Sequence, residues 1–416
     1  MTTIKSSTTT TTAYSVEADT TGALVIQTGV TPTTALTISS AQVVTLAQVL
    51  PEASGGTGTT TGYYGFKSRI INGGMTIDQR NAGAAITPTA GVYTLDRWEY
   101  APTQASKLTI QQNAGSLSAA NRPAGFINYL GITSTSSYSL LSGDYFTIRQ
   151  NIEGLNVADL GWGTANASTV TLSFWVRSSL TGTHSGVIYN TDGTRSYVFS
   201  FTVVSASTWE QKTITIAGDT TGTWLTTNGV GIRVGFNLGT GSTYSGTAGS
   251  WSGTLVLAAT GSVSVVSTNS ATFYITGVQL EKGSTATSFD YRPYGTELLL
   301  CQRYASSTFP IGTAWAQNAG LAGCVIGSCS GTDTGYGMQV PWRFPVNMRA
   351  TPTTITSYNP SAANANFRNL AVSANRTASL LGFGQNGATG ICFTSGTLTD
   401  SVGMAYAIHY SVEAEL

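Results

Sequence analysis

Period-two alternation of apolar and polar residues governs the middle of this chain. In VTLSFWVRSS, Val170, Leu172, Phe174 and Val176 share one face while Thr171, Ser173 and Trp175 take the other, the pattern of a half-buried strand. SYVFSFTVV sets Tyr197, Phe199, Phe201 and Val203 on one side; QKTITIAGD follows, and GIRVGFNLG alternates through Ile232, Val234, Phe236 and Leu238. Glycine-rich turns separate these runs and no ten-residue helical pattern competes. The pattern predicts an all-β fold, an antiparallel jelly-roll sandwich rather than an α/β protein. Between Ile275 and Val278 the alternation slips by one residue, and Gly277 is placed to absorb the slip as a bulge.

Texture divides the chain into three segments. Residues 1–66 are a Thr-rich leader with short alternating runs, ALTI (Ala35–Ile38) and VVTL (Val43–Leu46), closing in the linker-like PEASGGTGTTTG. A leader this short buries little by itself, which predicts an N-terminal attachment segment ordered by docking on a partner or on copies of itself. Residues 67–295 carry the jelly-roll pattern. Residues 296–416 read as a C-terminal β domain, entered through a short helix in TELLLCQRY with Thr296 as N-cap and Glu297 in its first turn. FPVNMRATPT predicts a strand with Phe344, Val346 and Met348 on one face and Pro345 at an edge. AYAIHYSVEAEL alternates without a fault from Tyr406 to Leu416 and predicts a final strand.

Composition narrows the function classes. Charged residues make up 9% of the 416-residue chain, well under the roughly 25% of an average globular domain. The surface is therefore polar through hydroxyls more than through ions. Nineteen basic and nineteen acidic residues give a formal net charge of +0, which offers no long-range pull on nucleic acid or anionic lipid. Near-neutrality also suits a subunit that lives inside an oligomer. The opening MTTIKSSTTTTTAYS is a hydroxyl-rich tract without the layout of a signal peptide, and no run approaches a membrane span, so the expected site of folding is a cytosol. Cys301, Cys324, Cys329 and Cys392 read as buried thiols or as one to two disulfides, the compartment favouring thiols. With only His184 and His409 besides, no zinc site, other metal or cofactor is expected.

Four stretches in one order carry a resemblance. IINGGMTIDQRNAG (Ile70–Gly83) with YTLDRW (Tyr93–Trp98) resembles the opening of a sandwich found in bacteriophage tail fibres and minor structural proteins. GVQLEKGSTATSFDYRPYGTELLLCQRY resembles its close. FPVNMRATPT resembles part of the C-terminal domain that follows in such proteins, and the PEASGGTG stretch resembles their shaft or attachment segments. Within this frame Leu95–Leu280 is similar to the jelly-roll carbohydrate-binding modules of glycosidases. The resemblance implies a homotrimeric virion protein, assembled in the host cytoplasm, that meets other tail or capsid proteins through residues 1–66 and a host-surface polysaccharide at the far end.

Sugar binding without catalysis needs aromatic rings that stack on pyranose faces, bordered by hydrogen-bonding groups. Aromatics in glycine-rich loops are the candidates: Trp162, Trp224, Tyr244 and Trp251, with Trp315 and Tyr336 in the loop-rich third segment. Each could instead plug a sandwich end or face a subunit neighbour. Trp98, Trp175 and Trp209 lie in or beside strand patterns and read as packing residues. No catalytic residue is expected. Asp78, Asp96 and Asp290 read as turn or cap groups beside Arg80, Arg97 and Arg292, and Asp144 and Glu153 fall on opposite faces of a strand. His184, in a turn, and His409, on the polar face of the last strand, read as solvated. The alternatives are a ligand-free virion part such as a head fibre, collar or decoration protein, a small depolymerising tailspike with a carboxylate pair built across subunits, and a bacterial surface adhesin.

Overall fold

The computed structural model describes residues 24–28, 33–38, 41, 44–46, 66–89, 91–328, 343–352, 354–383, 391–395 and 403–416. The chain divides into two compact units, Met1–Gly65 and Phe66–Leu416. In the first, β1 (Leu24–Thr28), β2 (Thr33–Ile38) and β3 (Val44–Leu46) form an antiparallel sheet. ALTI lies in β2, and the last three residues of VVTL form β3.

The second unit opens with β4 (Val92–Leu95), β5 (Trp98–Pro102), β6 (Leu108–Gln112), β7 (Leu130–Ser134) and β8 (Tyr145–Glu153). It continues through β9 (Val170–Ser178), β10 (Gly182–Tyr189), β11 (Ser196–Val203), β12 (Glu210–Ile216) and β13 (Val230–Thr240). The short β14 (Ser245–Gly246), β15 (Trp251–Ser252) and β16 (Ala258–Ala259) precede the long closing strand β17 (Thr272–Lys282). Two sheets result, in the orders β15-β11-β10-β13-β8-β5-β4 and β12-β9-β17-β7-β6. Every pairing within them is antiparallel.

Their inner faces meet through the residues whose alternation predicted them. Phe174 packs edge-on to Phe201 and Phe236 at 5.0 Å, and Phe236 reaches Phe273 at 6.4 Å. Each such buried side chain contributes about 1.5–3 kcal/mol relative to exposure. The slip in β17 is a bulge: its register against β9 shifts between Thr276 and Gln279, with Gly277 at φ +61°. Phe273, Ile275, Val278 and Leu280 all reach the core as a result.

The helix α1 (Tyr294–Gln302) is capped by Pro293, not by Thr296. The ring fixes φ at −53°, and the Pro293 carbonyl accepts the Glu297 N–H, so the first turn closes three residues early. After it come β18 (Ala305–Ser307), β19 (Val325–Ser328), β20 (Thr354–Tyr358), β21 (Phe367–Asn369), β22 (Ala374–Arg376), the hairpin β23 (Ala378–Phe383)–β24 (Ile391–Ser395), and β25 (Ala405–Glu413). β25 is central and pairs with β18, β19, β20 and β21. Phe344–Pro352, the described part of FPVNMRATPT, forms no strand; Phe344 and Met348 still enter the C-terminal core, from an irregular segment.

The seam between sandwich and C-terminal sheet lies inside the second unit and is ionic. Arg80 meets Glu413 at 2.9 Å and Glu415 at 3.0 Å, Arg97 also binds Glu415, and Arg303 meets Glu153 at 2.7 Å. The Arg97 guanidinium rests 3.5 Å from the Tyr304 ring centroid. Burial pushes the Glu415 carboxyl up while Arg97 and Arg80 pull it down. Removing one partner of such a set leaves a charge stranded in low dielectric, which costs about 3–5 kcal/mol.

Candidate functional site

Three of the expected sugar-contact residues come together. Trp162 and Trp224 lie 4.8 Å apart at 81°, and Trp251 closes the group at 5.4 and 5.5 Å. Trp162 and Trp224 are buried at 7% and 9% exposure and belong to the sandwich core; Trp251 is half-buried against it. Every indole N–H is used on a backbone carbonyl: Trp162 on Ser168, Trp224 on Thr221 and Trp251 on Ala217. Asp219 anchors the end through Arg195 at 2.7 and 2.8 Å. Burial raises its carboxyl, but the Arg195 bonds prevail and hold it below the usual range. The glycines of these loops serve packing: Gly163, at φ +84°, would put a Cβ 2.7 Å from the Gly222 carbonyl oxygen. The cluster plugs one end of the sandwich and presents edges to faces, and of its three rings only Trp251 is partly exposed.

Tyr244 is half-buried and packs on Tyr145 at 5.5 Å, in the loop that covers the outer face of the seven-stranded sheet. Trp315 lies over the Arg80 guanidinium at 5.2 Å, beside the ionic seam. Tyr336 falls outside the described residues. Trp98 is a core residue at 0% exposure. Trp175 and Trp209, read as packing side chains, stand half-buried on the outer face of the five-stranded sheet. There Trp209 joins Tyr129 at 5.7 Å, Tyr129 joins Tyr274 at 5.2 Å, and Arg177 lies over Tyr274 at 5.5 Å.

The same face carries an open aromatic cleft. Phe126, Phe289 and Tyr291 pack pairwise at 5.0, 5.5 and 4.9 Å. They line a cleft of about 260 Å³ with Tyr294, Asp290, Arg292 and Glu297. Tyr291 is 58% exposed and Tyr294 44%, so ring surface is available to a ligand. Its walls are fixed from β17. Gln279 accepts the Asp290 N–H at 2.8 Å, and the buried Glu281 carboxylate accepts the N–H and hydroxyl of Thr287, which pins the return loop. Segment 66–74 runs alongside, with Arg69 N–H on Leu280 O and Val278 N–H on Gly73 O. The bulge makes room for the cleft: a Cβ on Gly277 would lie 2.6 Å from Phe126 Cζ and 3.1 Å from Trp175 Cδ1.

Asp290 accepts the Lys67 and Ser68 N–H groups at 2.9 and 3.2 Å. Glu297 accepts the Asn72 N–H, and Arg292 reaches Glu297 at 3.4 Å and donates to the carbonyls of Ile70 and Ser68. The carboxylates of the cleft are thus tethered acceptors, suited to orienting hydroxyl groups. Asp144 is held by Tyr138, Thr103 and the Leu141 N–H, and Glu153 by Arg303 and Tyr304. Asp78 is a turn group, bound to the N–H groups of Asn81 and Gly83 at 3.0 and 2.7 Å, and burial pushes its carboxyl up to about 6.

Both histidines are buried, contrary to expectation. His184 lies in β10 and stacks on Phe201 at 5.7 Å inside the sandwich. His409 stacks on Phe309 at 4.2 Å and is covered by the segment bearing Gly320, whose carbonyl oxygen is 2.9 Å from Nε2. A central strand is buried on both faces, which period-two reading alone does not reveal. Cys301 and Cys324 are free thiols; burial pushes Cys301 well up and Cys324 up to about 12. Among the described residues no His, Cys, Asp and Glu group has the makings of a metal site.

No protein-family model matches the sequence, and no curated protein sequence does. Among solved structures, this chain is similar to the enzymatically active domain of tailspike protein 4 of bacteriophage CBA120, at 11% identity and TM-score 0.29. The match covers 52% of this chain and 21% of that one, so the chain spans about a fifth of the tailspike domain's length. It is also similar to TmCBM61 in complex with β-1,4-galactotriose, at 8% identity, TM-score 0.28, and 52% and 99% coverage. A third is the family 11 carbohydrate-binding module from Clostridium thermocellum, at 12% identity, TM-score 0.24, and 49% and 96% coverage. At these scores the fold class rests on the chain's own sheets and registers.

Proposed function

We propose that this protein is a non-catalytic, glycan-binding structural subunit of a bacteriophage tail fibre or related appendage. Residues 1–66 attach it to other virion proteins, and it works as a homotrimer. The observation that carries the reading is the cleft of Phe126, Phe289 and Tyr291, where the exposed rings of Tyr291 and Tyr294 stand beside tethered carboxylates and a guanidinium. C–H faces of a pyranose stack on such rings while its hydroxyls donate to Asp290 and Glu297. The four sequence stretches that resemble phage appendage proteins support the setting. Three copies on one particle convert weak single-site contacts into firm attachment through avidity.

The test is a glycan array probed with the purified protein and with Tyr291→Ala, coupled to a mass measurement in solution. The reading expects a trimer that captures at least one surface polysaccharide and a variant of the same mass that captures none. A monomer, or a variant that binds the array as well as the wild type, contradicts it.

A further inference from the structure

A second, smaller cleft adjoins the first. It measures about 150 Å³ and is lined by Asp78, Gln79, Gln112, Leu298 and Ile311, with Thr76 and Tyr294 common to both clefts. Tyr294, at the first residue of α1, is the ridge between them. Sites that hold a small molecule usually offer about 300–1,000 Å³. Neither cleft reaches that alone; joined over Tyr294 they do.

Resting on the glycan-binding reading, we propose that the ligand is a neutral oligosaccharide that crosses Tyr294 and places a further ring in the cleft beside α1. Three features support this. First, the polar groups of the second cleft are already oriented: Asp78 is held by two backbone N–H groups, and Gln112 donates to the Met75 carbonyl. Second, the opposite wall is apolar, with Leu298 half-buried and Ile311 71% exposed, so a ring entering there meets hydroxyl acceptors on one side and hydrocarbon on the other. Third, the charged groups of the joined clefts are Asp78, Asp290 and Glu297 against Arg292 alone. That excess of carboxylates repels uronic and sialic acids and selects a neutral glycan.

The experiment is calorimetric titration of glucose, galactose and mannose oligomers of one to four rings into the full chain and into Ile311→Ala. The exposed position of Ile311 keeps that variant folded. For the series that binds, affinity is expected to rise on the order of tenfold from one ring to three, about 1.4 kcal/mol. In Ile311→Ala that gain shrinks while single-ring affinity is unchanged. Equal affinity at every length, or a gain that survives Ile311→Ala, overturns the second subsite and leaves the first cleft as the binding site. Binding of acidic oligomers in preference to neutral ones overturns the assigned ligand class. No binding by any sugar overturns the glycan reading itself, and the second subsite with it.

Discussion

Two aromatic clusters of this molecule look alike in sequence and differ in what they can do. Trp162, Trp224 and Trp251 come from glycine-rich loops and meet nearly perpendicular, each indole N–H spent on a backbone carbonyl, in its own loop for Trp162 and Trp224 and in another for Trp251. Phe126, Phe289 and Tyr291 meet at similar distances but at the border of a cleft, with Tyr291 more than half exposed. The first group packs into the sandwich end; the second leaves the Tyr291 ring surface open. Aromatic content and loop glycines do not separate the two. What separates them is whether another part of the chain already occupies the faces.

Truncation should separate them most sharply. Trp224→Ala removes a nearly buried ring from the tryptophan cluster and is expected to lower stability by about 3–5 kcal/mol, read by urea unfolding. Tyr291→Ala is expected to cost about 1 kcal/mol or less while abolishing glycan capture. If the two variants unfold at the same urea concentration, the contrast fails.

Gly277→Ala perturbs the cleft from beneath. Its Cβ would sit at φ +61° and 2.6 Å from Phe126 Cζ, so overpacking is expected to cost about 1–3 kcal/mol and displace Phe126. Glycan affinity should fall in this variant although no ligand contact has been deleted. Fluorotryptophan signals of Trp162, Trp224 and Trp251 should not change, while that of Trp175, 3.1 Å from the new Cβ, should.

The smallest expected effect is a difference in pH response. Burial raises Asp78, beside the second cleft, from 3.8 to about 6. Its contribution to stability is therefore full below about pH 4 and is lost as pH rises through 6. Asp219, in the tryptophan cluster, is lowered below 3.8 by Arg195 despite its burial. Its contribution is present above that value and is lost as pH falls through the lowered one. Hydrogen exchange normalised for intrinsic rate should show the 78–83 turn opening more readily from pH 4 to 7. The 219–224 loop should open below pH 4. Asp78→Asn flattens the first response and leaves the second.

Most of the sandwich was legible because its strands keep apolar residues inward and mostly polar ones outward, even where outer residues such as Thr171, Ser173 and Asn237 are buried too. Val170 to Val176 and Ile232 to Leu238 alternate, the inner face is the apolar one, and even the bulge at Gly277 left its mark as a slipped phase. β25 was legible as a strand but not as a central one, since His409 and Ser411 are polar yet buried by flanking strands and loops. The strand expected at Phe344–Met348 was lost because alternating apolar residues can reach a core from an irregular segment as well.

The cleft was missed for a different reason. SFDYRPY was legible as the close of the sandwich, and Asp290 and Arg292 passed as a turn pair. Three aromatics interleaved with Asp and Arg over six residues, Phe289 to Tyr294, were the available signal. Phe126 was out of reach, since it meets Phe289 only through tertiary packing, in space that Gly277 leaves free.

The most direct test of the central claim is fluorine NMR of protein labelled with fluorotryptophan and fluorotyrosine, titrated with a glycan captured on the array. Tyr291 and Tyr294 are expected to shift on saturation while Trp162, Trp224 and Trp251 stay in place. Shifts confined to the three clustered tryptophans would contradict the claim and move the binding site to the sandwich end.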